Sequence, residues 1–241
     1  MKDLLKVIGH RKNIVFFDFE GAERTQEIIA IGAVLVTIGK DGSIKKMKRP
    51  FHLYVKCNSK VGNYVSNLTG ITDEILREKG LYFKEAMEEF KKYCGLAFKK
   101  SLFVSYSNAD IRFLSQTIAR NLKWPVEICH QIQRNYFDFA NFLDNYVLDE
   151  NGNRMSLGRA CKLFEIELAE PLHDPAMDAL NLANLYNAFI KRKDIVAREY
   201  EKVVLRYNKM PRPLVLLFDL VRNGKEVSIE DLREIINQEI A

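Results

Sequence analysis

The chain has 241 residues, 47% of them hydrophobic, and a formal net charge of +5. That length holds one medium domain, or one domain and a small appendage, with a full core, and no apolar run approaches the ~20 residues of a membrane helix, which excludes a spanning protein of that kind. Cys57, Cys94, Cys129 and Cys161 lie far apart with no C-x-x-C, a spacing that speaks against a zinc site and, with no secretory pattern in "MKDLLKVIGHRKN", leads us to expect a cytoplasmic protein with reduced thiols.

Residues 13–18, apolar and β-branched or aromatic, predict a buried strand. "IIAIGAVLVTI", 28–38, predicts a second, "DGS" at 41–43 a turn, and "FHLYVKC", 51–57, a third, so an antiparallel meander is expected. "NLTGITDEIL" reads as a loop entering a short helix. Phe83, Ala86, Met87, Phe90 and Cys94 fall at helical spacing within 83–98. "SLFVSYS", 101–107, predicts a fourth strand running into a helix with Ile111, Leu114, Ile118 and Leu122 on one face. Residues 136–147 start extended and become helical, 156–166 form a short helix capped by Ser156, and 174–191 form another.

Beyond residue 192 the character changes. "MPRP", 210–213, breaks the chain, "LVLLFDLV", 214–221, is apolar enough to need cover, and "SIEDLREIINQEI", 228–240, is a compact helix with an S-x-x-D start. We expect a first domain over 1–195 and a helical appendage over 196–241. Basic residues concentrate in two stretches, 40–60, where Asp41 is the lone acid, and 191–212. Either suits a polyanion, and either also suits ordinary solvation.

Chemistry concentrates in three places. In "FFDFEG" strand alternation puts Asp18 and Glu20 on one face and Phe19 on the other. Two carboxylates so close repel unless a cation sits between them, and Mg²⁺ prefers carboxylate oxygens. "SYSNADIRFL" places Asp110 at a helix start just after a strand, where α/β sheets hold ligands and where a helix dipole also favours an acid. In "PLHDPAMDAL" Asp174 can cap a helix with Pro175 at its first position, leaving His173 just outside and Asp178 in the first turn. Imidazole can take a proton from water near neutral pH.

D-x-E on strand one, an Asp after strand four and H-x4-D at a late helix start resemble, in that order, the DEDDh exonucleases, the RNase-T-like or DnaQ-like family. "EIIAIGAV" at 27–34 and "LTGIT" at 68–72 belong to the same resemblance, which covers roughly residues 12–191. It implies an RNase-H-like α/β fold, a mixed five-stranded sheet flanked by helices, and removal of nucleotides from nucleic-acid 3′ ends with two divalent metals, Mg²⁺ or Mn²⁺. Asp18, Glu20, Asp110 and Asp178 would match the metal-binding acids and His173 the general base.

Weaker substrate candidates are the backbone N–H groups around Gly21 and Ala22, Leu68 as a wedge on the terminal base, Tyr106 as a stacking or core residue, and Asn108 as a cap or ligand-positioning residue. Phe19, aimed away from the acids, belongs to the core. The first motif's D-F-E form and "LTGIT" lean towards the Eri-1/KapD-like, RNA-trimming branch. The alternatives are a proofreading or repair exonuclease acting on DNA and a catalytically silent nucleic-acid-binding module. The partner expected is a 3′ end of RNA or single-stranded DNA, without a membrane, and 196–241 is a candidate surface for a protein partner.

Overall fold

A computed structural model describes residues 2–206 and 211–240. Met210 of "MPRP" and residues 207–209 of the second basic stretch lie outside the described residues. Two compact units divide the chain, the first formed by residues up to 143 with 155–193, the second by 144–154 with 194 onwards.

The first unit opens with a short helix α1 (Lys2–Ile8) and is organised on the strand β1 (Asn13–Gly21). β1 pairs antiparallel with β2 (Ile28–Ile38) and parallel with β5 (Leu102–Ser105), once β3 (Ile44–Met47) and β4 (Phe51–Tyr54) are counted between them in the chain. β3 and β4 both pair with β2, and β6 (Tyr136–Asp138) lies parallel to β5, giving the order β3-β2-β1-β5-β6. The result is a mixed sheet of six strands where the sequence led us to expect five. The added strand is β3, "IKKM", whose last three residues are exposed. A solvent-facing edge needs no apolar alternation, so nothing in its composition marks it.

Helices cover both faces. Val15, Phe17 and Phe19 of β1 pack with Phe90 of α4 (Phe83–Cys94), Leu114 of α5 (Ala109–Arg120) and Ile132 of α6 (Val126–Arg134) in one fully buried cluster. Each such side chain withdrawn from water contributes about 1.5–3 kcal/mol. On the other face Phe16 meets Tyr186 of the long helix α9 (Pro175–Lys191), their ring centroids 5.2 Å apart. The remaining helices of this unit are α2 (Asn63–Thr69), α3 (Asp73–Lys79), α7 (Phe139–Leu143) and α8 (Leu157–Leu163).

Some boundaries depart from expectation. α5 ends at Arg120, where Asn121 turns extended, so Leu122 does not join its apolar face and is fully exposed. Within "NLTGITDEIL" the loop is shorter than expected: Leu68 lies on α2, which Gly70 closes in the left-handed conformation (φ 73°), and residues 70–72 then enter the short helix α3 capped by Thr72.

In the second unit α10 (Lys193–Leu205) gathers Arg198 and Lys202 onto its own buried Glu199, 2.9 and 2.8 Å away. Tyr200 meets Tyr146 at 5.3 Å between ring centroids. α11 (Arg212–Arg222) and α12 (Ile229–Ile240) form a hairpin tied by Arg212–Glu239 at 3.0 Å. Ser228 and Asp231 cap α12 reciprocally, as the S-x-x-D start led us to expect. Among the described residues no helix is long and apolar enough to cross a membrane.

Candidate active site

The even-numbered residues of β1 face α9, so the apolar line Ile14, Phe16 continues into Asp18 and Glu20. Asp110 comes from the first turn of α5, on the neighbouring element. Its Oδ1 accepts the Phe19 backbone N–H at 2.7 Å, which sets this carboxylate against β1 between the two acids of the strand. Asp110 is 4% exposed, and the nearby Ser105 side chain favours its charged form.

Asp178 arrives from α9. Asp174 caps that helix, its Oδ1 accepting the N–H groups of Ala176 and Met177 at 2.9 and 3.1 Å, with Pro175 following at the first helical position. The helix start can press on the sheet because β2 carries Gly32 there, paired with Asp18. A Cβ at Gly32 would lie 1.9 Å from the Pro175 carbonyl carbon. His173 precedes the cap at φ 63°, exposed, and its backbone N–H donates to the Asp178 carboxylate. Ligand atoms of Glu20, His173 and Asp178 lie within 4.8 Å of one another.

The electrostatics follow from this crowding. Asp18 is held well above the usual carboxylate range by withdrawal from water and by the charges of Asp110, Glu20, Asp178 and Asp174. Burial and the same neighbours push Glu20 up to about 8. Asp110 rises to about 7 through burial, partly offset by the hydrogen bond from Phe19 and by the Ser105 side chain. Asp178 is raised by burial too, against opposing contributions from His173 and Asn181. All the leading influences on Asp18 and Glu20 push the same way. Such a set of hard oxygen donors, short of positive charge, fits a divalent cation of the Mg²⁺ or Mn²⁺ type.

Residues 15–186 of the chain match the exonuclease family RNase T. The chain belongs to that family.

Relatives and folds agree with the assignment. DNA polymerase III subunit epsilon of Buchnera aphidicola subsp. Schizaphis graminum is 27% identical over 163 residues, 66% of this chain, and the chain spans 63% of that relative's length. The nuclease domain of 3′hExo, a DEDDh family member solved bound to rAMP, superimposes with a TM-score of 0.60 at 18% identity, over 76% of this chain and 94% of that one. Cell-death related nuclease 4 gives 0.59 at 21%, over 75% and 64%. E. coli exonuclease I in complex with a dT13 oligonucleotide gives 0.56 at 18%, over 83% and 45%. These structures share the RNase-H-like exonuclease fold.

Of the residues singled out in the sequence, this RNase T family member brings Asp18, Glu20, Asp110, Asp178 and His173 together. The others separate in character. Ala22 is buried and already donates its N–H to the Glu27 carbonyl at 2.8 Å, so it has no free donor for a 3′-hydroxyl. Gly21 ends β1 with the Phe113 ring 3.0 Å from where a Cβ would be. Leu68 is 41% exposed on α2. The Tyr106 hydroxyl donates to the Met155 carbonyl at 2.7 Å. Asn108 stands at the N-cap of α5 but its side chain makes no capping bond; Ser107 Oγ instead accepts from Ala109 N–H at 3.3 Å.

Three contributors escaped the sequence reading. Gly32 was visible only as a glycine inside an apolar strand. Asn181, fully buried one turn after Asp178, hydrogen-bonds that carboxylate and clamps Ala169 through both backbone groups at 2.8 and 3.3 Å, anchoring the loop that leads to His173. His52 on β4 holds Asp174 Oδ2 through Nδ1 at 3.1 Å. A polar residue at i+3 on the buried side of α9 was the available signal for Asn181; His52 had none.

Proposed function

We propose that this chain is a metal-dependent 3′–5′ exonuclease that hydrolyses the terminal phosphodiester of a nucleic-acid strand and releases nucleoside monophosphates, with RNA favoured over DNA. The observation that carries the proposal is the convergence of Asp18 and Glu20 of β1, Asp110 of α5, Asp178 of α9 and His173 of the loop before it into one crowded group of carboxylates and imidazole. The four carboxylates would hold two divalent cations, which when bound supply the Lewis acidity that activates water and neutralises the leaving 3′-oxygen.

The chain's own groups do the rest. Asp110 is fixed by the Phe19 N–H, and Asp178 by Asn181 and the His173 N–H, so the donors are set before substrate arrives. His173, exposed and within reach of the Glu20 and Asp178 oxygens, takes the proton of the attacking water. Basic residues of 40–60 neutralise phosphates further along the strand.

The RNA preference draws support from 3′hExo bound to rAMP and from a 3′-exonuclease that recognises a histone mRNA stem-loop (TM-score 0.62, 16% identity, 76% of this chain, 83% of that one). A second reading, a DNA exonuclease acting beside a polymerase, is favoured by the polymerase III epsilon relative. Labelled RNA and DNA oligonucleotides of matched sequence, incubated with Mn²⁺ and with chelator, test both. We expect stepwise shortening from the 3′ end, faster on RNA and abolished by chelator. Equal loss from 5′-blocked and 3′-blocked strands, or cleavage surviving chelation, overturns the assignment.

We also propose that catalysis resides in 1–195 and that 196–241 is an appendage, although the compact unit holding that appendage takes in 144–154 as well.

A further inference from the structure

The hairpin of α11 and α12 is amphipathic on two sides. Leu214, Leu217 and Leu220 of α11, with Leu232 and Ile235 of α12, are partly covered within the hairpin. A second apolar face is left open: Val215, Phe218 and Val221 at i, i+3 and i+6 of α11, and Ile229, Ile236 and Ile240 on α12, all 36–78% exposed. No residue of either helix is buried. Two helices of 11 and 12 residues cannot build a core from one shared seam, and an apolar face of this kind normally meets a further layer.

The charges on the two helices differ in sign. Arg212 and Arg222 flank α11 with Lys225 just after it, against Asp219. α12 carries Glu230, Asp231, Glu234 and Glu239 against Arg233. Placed side by side, a basic and an acidic helix form a patch that is complementary to itself. We propose that this face is an isologous dimer interface, in which the α11–α12 hairpin of one chain packs on the same hairpin of a second copy to make a four-helix bundle.

Charge also selects the arrangement. A two-fold axis parallel to the helices sets α11 on the partner copy's α12, antiparallel, with the loops at the same end. The Arg222–Lys225 end then meets the N-terminal acids of α12, and the helix dipoles oppose. An axis perpendicular to the helices would set α11 on α11 and α12 on α12, like charge on like. A protein of another kind would have to present an acidic and a basic helix in this same order. Helices of this length give a face roughly 17 Å by 20 Å, well short of the ~800 Å² per partner of a standard interface, so the dimer is a weak, reversible one.

Sedimentation equilibrium of the full chain over roughly 5–500 µM tests this without reference to nuclease activity. We expect a monomer–dimer equilibrium that Phe218→Asp with Ile236→Asp shifts to monomer by at least tenfold in Kd. In case those changes disturb the hairpin, two variants altered only at exposed charges decide the matter. Arg222→Glu with Lys225→Glu, and Glu230→Lys with Glu234→Lys, should each be monomeric alone and form a heterodimer when mixed. Circular dichroism confirms that helix content is retained. A wild-type chain that stays monomeric throughout, a dimer unmoved by the substitutions, or charge variants that fail to pair on mixing overturns the proposal.

Discussion

Gly32 of β2 lies directly beneath Pro175, the first residue of α9, so closely that a methyl group on Gly32 would overlap the Pro175 carbonyl. The contact is backbone against backbone, and no side-chain rotation can relieve it. α9 must therefore lift or slide if Gly32 gains a side chain, and Asp178 and His173 move with it. Gly32→Ala should cost about 1–3 kcal/mol, the usual range for overpacking. Nuclease turnover should fall at least ~100-fold, since displacements near 1 Å have that effect. Thermal melting alongside 3′-end cleavage checks both; a variant as active as wild type would show that the helix start is not set by this contact.

His173 stands outside the helix on an exposed loop, with its ligand atoms beside those of Glu20 and Asp178. It carries no core packing, so its loss should be chemical. His173→Ala is expected to lower kcat by ~10²–10⁴, the span of general base catalysis, while KM and melting temperature stay near wild type. Steady-state kinetics on a 3′-labelled oligonucleotide distinguish this from a role in binding, which would raise KM instead.

Much of this arrangement was legible in the sequence, for identifiable reasons. β1 and β2 are buried on both faces, so they read as near-continuous apolar runs, and the place where polarity returns, Asp18 and Glu20, is the site itself. Asp174-Pro175 carries a capping chemistry that fixes the α9 start to the residue. What was hidden depends on long-range neighbours. β3 is an exposed edge, Ala22 loses its N–H to a carbonyl five residues on, and His52 matters only because β4 brings it to Asp174. None of these leaves a local pattern. The Asn108 side chain makes the same point in reverse: a good capping residue at the right place goes unused because Ser107 serves the turn.

Asp18 is crowded by Asp110, Glu20, Asp178 and Asp174 and drawn away from water. Asp18→Asn keeps its shape and removes one repelling charge. The metal-free variant should therefore melt above wild type at pH 8, yet 3′-end cleavage should fall at least ~100-fold because a hard cation loses a carboxylate ligand. Differential scanning calorimetry in chelator, with parallel activity measurements, tests the pair of outcomes. A variant that unfolds more easily without metal would assign Asp18 a structural role.

The raised carboxylates also fix how stability depends on pH. Glu20 at about 8 and Asp110 at about 7 bind protons in the folded state that ordinary carboxylates, near 4, release in the unfolded chain. Between about pH 4.5 and 8 the folded state thus holds more protons than the unfolded one, and stability falls as pH rises. Below that window both states are protonated and the difference vanishes; above it both are ionised and the loss levels off. A divalent cation competes with these same protons, so its stabilisation should grow as pH rises through 7–8. Urea melts in chelator should accordingly show a midpoint that drops from pH 5 to pH 8, and millimolar Mn²⁺ should raise the midpoint much more at pH 8 than at pH 6. Nuclease turnover should climb over the same interval. Glu20→Gln should flatten part of the metal-free slope and most of the Mn²⁺ response together, since one group underlies both; a Mn²⁺ response that persists unchanged in that variant would place the cation elsewhere.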